Sequence, residues 1–336
     1  MANPTKHPGL SKVVNGALVV VAFALLALVL WRNRDQIEKV LSRPLDLRLL
    51  GLALLVYICG MVLTFIRWFF LVRVIEPDFK LSATLVLGAI GMVFNLVIPG
   101  AVGGDLIKAT YLGRMRIKRT QAIASMVIDR IVGLLALFIL AAIAGVVAWP
   151  GAPRDVRLLT VLAWLAVITG FLVLFAIFAQ VFSRLFPGVN GNQSRFGLIV
   201  SELREMSTTY RGRLDVVSGC LALSMFAHSL NVVAFFLVGR MLYPYPEMTT
   251  TLGQHFLMVP LTLFTLAVPL PFGALGVTEL VGGQLLKLVG HPDGELAVMG
   301  FRVLMYSTGL LGACVYLARI KEIRELTAAA RHFDDE

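Results

Sequence analysis

The sequence predicts an all-α polytopic membrane protein of about six crossing helices plus two re-entrant helical hairpins in an inverted-repeat arrangement, and three observations predict it. Hydrophobic residues make up 58% of the 336 and charged residues only 15%, whereas a soluble domain carries roughly 25% charged residues. A soluble enzyme is excluded. The apolar residues gather into eight runs, most of them near the roughly 20 residues that carry a helix across hydrocarbon. Two of the runs break off in Pro/Gly-rich segments and resume at once as semi-apolar helical patterns. Helices are the expected element because lipid offers the backbone no hydrogen-bond partners.

The first run, 13–31, follows Lys6 and Lys12 and has no small-residue cleavage site before Arg32, so it reads as a retained span rather than a signal peptide. Runs 49–72, 120–149, 158–183, 214–239 and 295–318 are the other expected crossings. Runs 81–98 and 248–270 are the interrupted ones. Residues 1–12 are expected to form a cytoplasmic N-terminus, 13–318 the transmembrane domain and 319–336 a cytoplasmic tail. The stretch 187–212, where Ser, Asn and Gly give way to mixed charge, reads as a surface-lying amphipathic piece. Cys59, Cys220 and Cys314 each sit in an apolar run without CxxC spacing, and they read as small apolar residues. Trp31, Trp68, Trp149 and Trp164 lie mostly near run ends, as interfacial anchors do.

The two breaks share a pattern. The first runs from Asn95 through Pro99, Gly100 and Gly103 to Asp105; the second runs from Pro269 through Pro271, Gly273 and Gly276 to Glu279. Each holds Gly-Ala-aliphatic-Gly after a proline and before a carboxylate, and an arginine follows inside the next apolar run, Arg130 and Arg302 respectively. Non-helical backbone at membrane depth is tolerated only where protein buries it or it lines a wet cavity. The half-helix after each break presents free N–H groups and a positive dipole end, a seat for an anion such as a lipid phosphate. Asp105, Thr278 and Glu279 also suit the plainer role of helix caps.

Charged residues within spans are costly and usually face an interior. Here they are Arg67, Lys108, Asp129, Arg130 and Arg302, with Asp105, Glu279 and Lys287 near the breaks. Asp105 and Lys108 are spaced for a local pair. Asp129 and Arg130 point about 100° apart on a helix and address different partners. Arg130 and Arg302 are expected to neutralise Asp105 and Glu279 in the empty site, with a phosphate competing for these guanidiniums; the plainer alternative is a permanent structural ion pair. His228 with Asn231, and Gln254 with His255, could line a polar path, although interhelical hydrogen bonding is the commoner use.

The net charge of +10 then becomes a topology signal. If each break is a hairpin tip, one side of the membrane collects roughly twice as many basic residues as the other, which puts both termini in the cytoplasm. With three crossings between them, the hairpins enter from opposite faces, as in inverted-repeat transporters. The basic excess therefore faces an anionic leaflet rather than nucleic acid.

The run Phe94-Asn-Leu-Val-Ile-Pro-Gly-Ala-Val-Gly-Gly-Asp-Leu-Ile-Lys108, followed by Ala122 to Arg130, resembles the signature of the lysylphosphatidylglycerol synthetase transmembrane-region family. Pro269 to Glu279, followed by Arg302, resembles that family's second signature. The departures are Asp105 for Glu, Lys108 for Arg, Phe272 where a proline precedes the glycines, and Ala274 for Gly. The resemblance implies a flippase-like domain in the inner membrane. The soluble aminoacyl-transfer domain of two-domain members would follow the membrane region, and this chain stops at Glu336, so lysyl transfer is not expected.

The expected function is a translocase for an anionic or phosphate-bearing lipid, not an enzyme, with no cofactor and no metal. Its substrate-binding residues would be Asn95, Pro99, Gly100, Gly103, Asp105, Lys108, Asp129, Arg130, Gly273, Gly276, Glu279 and Arg302. The alternative is a non-transporting scaffold that presents a lipid to a separate enzyme. Expected partners are membrane lipids, phospholipid or polyprenyl-phosphate, and either a second copy or a lipid-modifying enzyme.

Overall fold

The computed structural model describes residues 20–21, 23–42, 44–97, 103–115, 117–181, 195–267, 270 and 274–319. Among them every regular element is helical. Two short N-terminal helices come first, α1 (Phe23–Arg32) and α2 (Arg34–Leu41). Then follow α3 (Leu47–Arg73), α4 (Leu81–Val97), α5 (Gly103–Arg114), α6 (Arg119–Ala148) and α7 (Arg154–Phe178). After these come α8 (Arg195–Tyr210), α9 (Leu214–Leu242), α10 (Leu252–Phe264), α11 (Val277–Lys287) and α12 (Gly294–Ala318).

Five stretches among the described residues are long and apolar enough to cross a membrane: α3, α6, α7, α12 and a 40-residue one, Leu203–Leu242, made by α8 running through a 3₁₀ turn into α9. The sixth expected crossing, 13–31, is described only over its C-terminal part, as α1. The segment read as a surface piece is in part a packed helix, since α8 lies against α6 and α7 with Tyr210 fully buried.

The interrupted runs behave differently from the rest. Helix α4 has 17 residues, α5 has 12, α10 has 13 and α11 has 11. At 1.5 Å per residue none spans a hydrocarbon core of about 30 Å. Each short helix packs on its successor across the break, α4 on α5 and α10 on α11. Each broken pair also packs against a long helix remote from it in sequence: α4 lies on α12, and α10 lies on α6. The centre of the bundle is α3 lying along α9.

Outward faces are apolar, as a lipid-facing surface requires. Helix α7 exposes Leu158, Leu162, Leu165, Ile168, Leu172 and Phe175. Trp31, Trp149 and Trp164 are exposed with it, but Trp68 is only 1% exposed and stacks edge-on against Phe79. Trp68 is thus a core residue and not an interfacial anchor. Cys59 and Cys314 are exposed and Cys220 is buried, all three as free thiols.

Candidate functional site

Each break delivers a carboxylate to the arginine of the long helix that follows it. At the first break Gly91 of α4 and Gly104 of α5 meet backbone to backbone, and a Cβ on Gly104 would sit 2.9 Å from the Gly91 carbonyl oxygen. That approach lets the Asn95 side-chain oxygen accept the Gly104 N–H at 2.7 Å. Asn95 therefore caps α5 from the opposite arm, and Asp105 is left free for other work. Its Oδ2 accepts Nε of Arg130 at 2.9 Å and Nη2 at 2.6 Å. This ion pair is partly open, with 40% of the arginine side chain and 23% of the carboxylate exposed.

The second break reaches the same outcome by a tighter route. Gly276, at φ +81, precedes α11 and turns its N–H back onto Oε2 of Glu279 at 2.7 Å. Only glycine occupies that left-handed region without strain. The other carboxylate oxygen, Oε1, accepts Nε of Arg302. Thr265 at the end of α10 donates to Thr278, which donates to the Ala274 carbonyl, so the two arms are stitched together. Here the pair is sealed: Glu279 is fully buried and Arg302 nearly so. Phe235, Leu263, Val298, Phe301 and Met305, together with Thr262 and Thr278, line a small cavity beside Arg302. Helix α1 closes the site from outside, because a Cβ on Gly276 would lie 2.4 Å from Cβ of Leu25.

Asp129 and Arg130 do address different partners. Asp129 binds Arg67 of α3 in a bidentate pair at 2.7 and 2.9 Å, and the third guanidinium nitrogen donates to Ser224 of α9 at 2.7 Å. This buried triad clamps α6 to both central helices one residue before Arg130. The residue before Arg302 is Phe301, whose ring meets Tyr57 of α3 and Phe235 of α9, each at 5.4 Å. The first arginine is backed by charge and the second by aromatic packing.

Lys108 does not pair with Asp105, the partner its spacing suggests. Its ammonium lies over the Trp68 ring at 4.5 Å from the centroid, a cation–π contact, because Arg130 already occupies the carboxylate. Gly103 begins α5 and is buried. Pro99, Gly100 and Gly273 lie outside the described residues. Gln254 belongs to a capping box with Thr251 rather than to a polar path. His255 directs Nδ1 at the Thr251 carbonyl and stacks edge-on against His291.

Sequence reasoning missed three features. The Arg67 partner of Asp129 comes from a helix 62 residues away, and no local spacing signals it. Trp68 under Lys108 is also remote in sequence. The third is a tether at the far end of α1, where Asn33 donates to Glu295 at 2.7 Å and Arg32 lies 3.5 Å from the same carboxylate. Among the described residues no cluster of three or more His, Cys, Asp or Glu is arranged to hold a metal ion.

Long apolar helices, interrupted short ones and ion pairs at the interruptions define a multi-pass helical membrane protein. The chain belongs to the lysylphosphatidylglycerol synthase transmembrane-region family, whose model matches residues 14–312. Comparison with curated proteins gives no match. Family membership relates the chain to lipid handling in a membrane.

Proposed function

We propose that this protein is a flippase-like lipid translocase, with no catalytic chemistry of its own, that carries a phosphate-bearing lipid between leaflets. The observation that carries the reading is the pair of broken helices, each with its half-helix carboxylate holding an in-span arginine. A guanidinium paired with a carboxylate at a broken helix is poised for exchange, because a lipid phosphate suits guanidinium geometry as well. The lipid phosphate displaces Asp105 from Arg130 while its tails stay in hydrocarbon. It passes to Arg302 when the halves rock against each other.

The rocking rests on an inverted-repeat reading, in which α3–α6 and α9–α12 are related units and the broken pairs are re-entrant hairpins entering from opposite faces. The reciprocal packing of α4 on α12 and α10 on α6, around a shared α3–α9 core, supports it. We place the protein in the inner membrane with both termini cytoplasmic, on the distribution of basic residues. Cysteines introduced at Arg116 or Arg204 would then be unreactive toward an impermeant outer-side reagent, and labelling there would overturn the topology.

Liposomes reconstituted with the protein and labelled anionic, cationic or polyprenyl-phosphate lipids test translocation directly. Wild-type protein should exchange at least one phosphate-bearing lipid, and Arg130→Lys should abolish exchange while leaving folded yield intact. Full activity in Arg130→Lys would refute the mechanism. One observation favours a second reading: the sealed Glu279–Arg302 pair leaves only the Asp105–Arg130 side open, as suits a scaffold that presents lipid to a partner enzyme. Tight lipid binding with no leaflet exchange for any lipid would select it.

A further inference from the structure

Helix α1 covers the second break and is held there at few points. Within Phe23–Arg32 only Leu25, Leu26 and Val29 are shielded, wholly or in part, and the other residues are exposed. The first two meet Gly276 through the backbone: a Cβ on that glycine would lie 3.0 Å from the carbonyl carbon of Leu25 and 3.0 Å from the amide nitrogen of Leu26. Gly276 is also the residue whose N–H binds Glu279, the carboxylate that holds Arg302. With backbone against backbone at this turn, no lipid head group fits between it and α1.

At its C-terminal end α1 is fastened to Glu295. Asn33 donates to Oε2 of that carboxylate at 2.7 Å and to the Val29 carbonyl at 2.8 Å, and Arg32 lies 3.5 Å from Oε1. Glu295 sits in the first turn of α12, only 7% exposed, and packs on Gly283 of α11. The fastening therefore joins α1 to the two helices that carry the second ion pair, α11 with Glu279 and α12 with Arg302. Its members are unequal, because the carboxylate is held by packing whereas 48% of the Arg32 side chain is exposed. Lipid tails are as apolar as leucine, so moving Leu25, Leu26 and Val29 into lipid forfeits packing but no hydrophobic burial. The polar fastening supplies the specific hold.

We propose that α1 is a strap that shuts the second break off from the surrounding lipid, latched at Glu295, and that release of Asn33 and Arg32 from this carboxylate opens a sideways path to Arg302. The inference rests on the translocase reading above and adds its control point. A lipid reaches the partly open Asp105–Arg130 pair without rearrangement. It reaches the sealed Glu279–Arg302 pair only after α1 swings out. A segment with few buried contacts is the kind that opens without global unfolding.

The test uses the full chain with Cys59, Cys220 and Cys314 replaced by Ala, in liposomes carrying labelled phosphatidylglycerol, phosphatidylcholine or a polyprenyl phosphate. Asn33→Cys with Glu295→Cys is tied after folding by a reducible bis-methanethiosulfonate reagent. The tie should lower leaflet exchange at least tenfold, and reduction should restore it. Asn33→Ala, which leaves Glu295 in place, should raise exchange at least threefold. Tied protein that exchanges within twofold of its reduced form, or Asn33→Ala at the wild-type rate, overturns the proposal. Spin labels at Leu28→Cys of α1 and Lys287→Cys of α11, both exposed positions, give a readout that needs no transport. Double electron–electron resonance should show a longer-distance population growing in Asn33→Ala. If no lipid exchanges in any variant, translocation is refuted and these distances decide the strap, which an unchanged distribution overturns.

Discussion

Removing one carboxylate from each break should cost the two halves very different amounts. In Glu279→Gln the Arg302 side chain, only 6% exposed, keeps its charge and loses its counter-ion. The surroundings are mostly apolar, with Phe235, Leu263 and Val298 beside Thr262 and Thr278, so water cannot readily replace the carboxylate. Breaking a buried pair in this way costs about 3–5 kcal/mol. In Asp105→Asn the Arg130 side chain that loses this carboxylate is 40% exposed and can be partly rehydrated, which brings the cost toward the roughly 1 kcal/mol of a solvent-accessible pair. Both substitutions keep the size and one oxygen acceptor, so packing changes little. Thermal unfolding of each variant in detergent, followed by circular dichroism, should show a clear drop in midpoint for Glu279→Gln and a small one for Asp105→Asn. Equal drops, or a larger one for Asp105→Asn, would refute the assignment of a sealed second site and an open first one.

Asp129→Asn strands the buried Arg67 guanidinium and should lower stability by about 3–5 kcal/mol, while the joint change Arg67→Met with Asp129→Leu should recover most of the loss; equilibrium unfolding of the single and double variants checks both. Gly276→Ala forces a Cβ into a left-handed backbone and to within 2.4 Å of Leu25, a cost of about 2–4 kcal/mol, and it should loosen α1 enough to expose residues near Leu25 to limited proteolysis. In the turn between α11 and α12, burial and, to a lesser degree, the neighbouring His255 ring push the pKa of His291 down from its usual 6.5 to about 4. A base whose folded pKa is depressed stabilises the protein when neutral, so this contribution is complete above pH 6.5 and is lost as pH falls through 4, by about 3 kcal/mol at most. His291→Gln should flatten the melting temperature over that window; an unchanged pH profile would sink the assignment.

Much of this was readable from one sequence because the membrane simplifies the rules. The long runs became helices within a few residues of their expected ends, since no other element satisfies the backbone in lipid. The pairing of Asp105 with Arg130 and of Glu279 with Arg302 followed from a motif that occurs twice, in which four features coincide. What stayed hidden was set by packing between remote helices. Nothing near Asp129 in the sequence points to Arg67, and the i, i+3 spacing of Asp105 and Lys108 pointed to a local pair that competition from Arg130 prevents. Trp68 was misread for a related reason: its place near the end of a span suits an anchor, but Phe79 and Lys108 enclose it from other elements.

The position before each arginine shows why two similar halves need not do the same work. Asp129 ties α6 to α3 and α9 through charge and hydrogen bonds, and these lose most of their strength when misaligned or wetted. Phe301 ties α12 to the same two helices through ring contacts, which tolerate sliding because dispersion has no fixed direction. If the halves move relative to the α3–α9 core, the charged joint should stay fixed and the aromatic joint should slip. The open site would then be the one held in a constant geometry, and the sealed site the one that motion exposes. Exchanging the joints tests this order: Phe301→Leu should change the rate of lipid exchange with little effect on lipid affinity. A loss of affinity without a change in rate would show that the second half binds rather than moves.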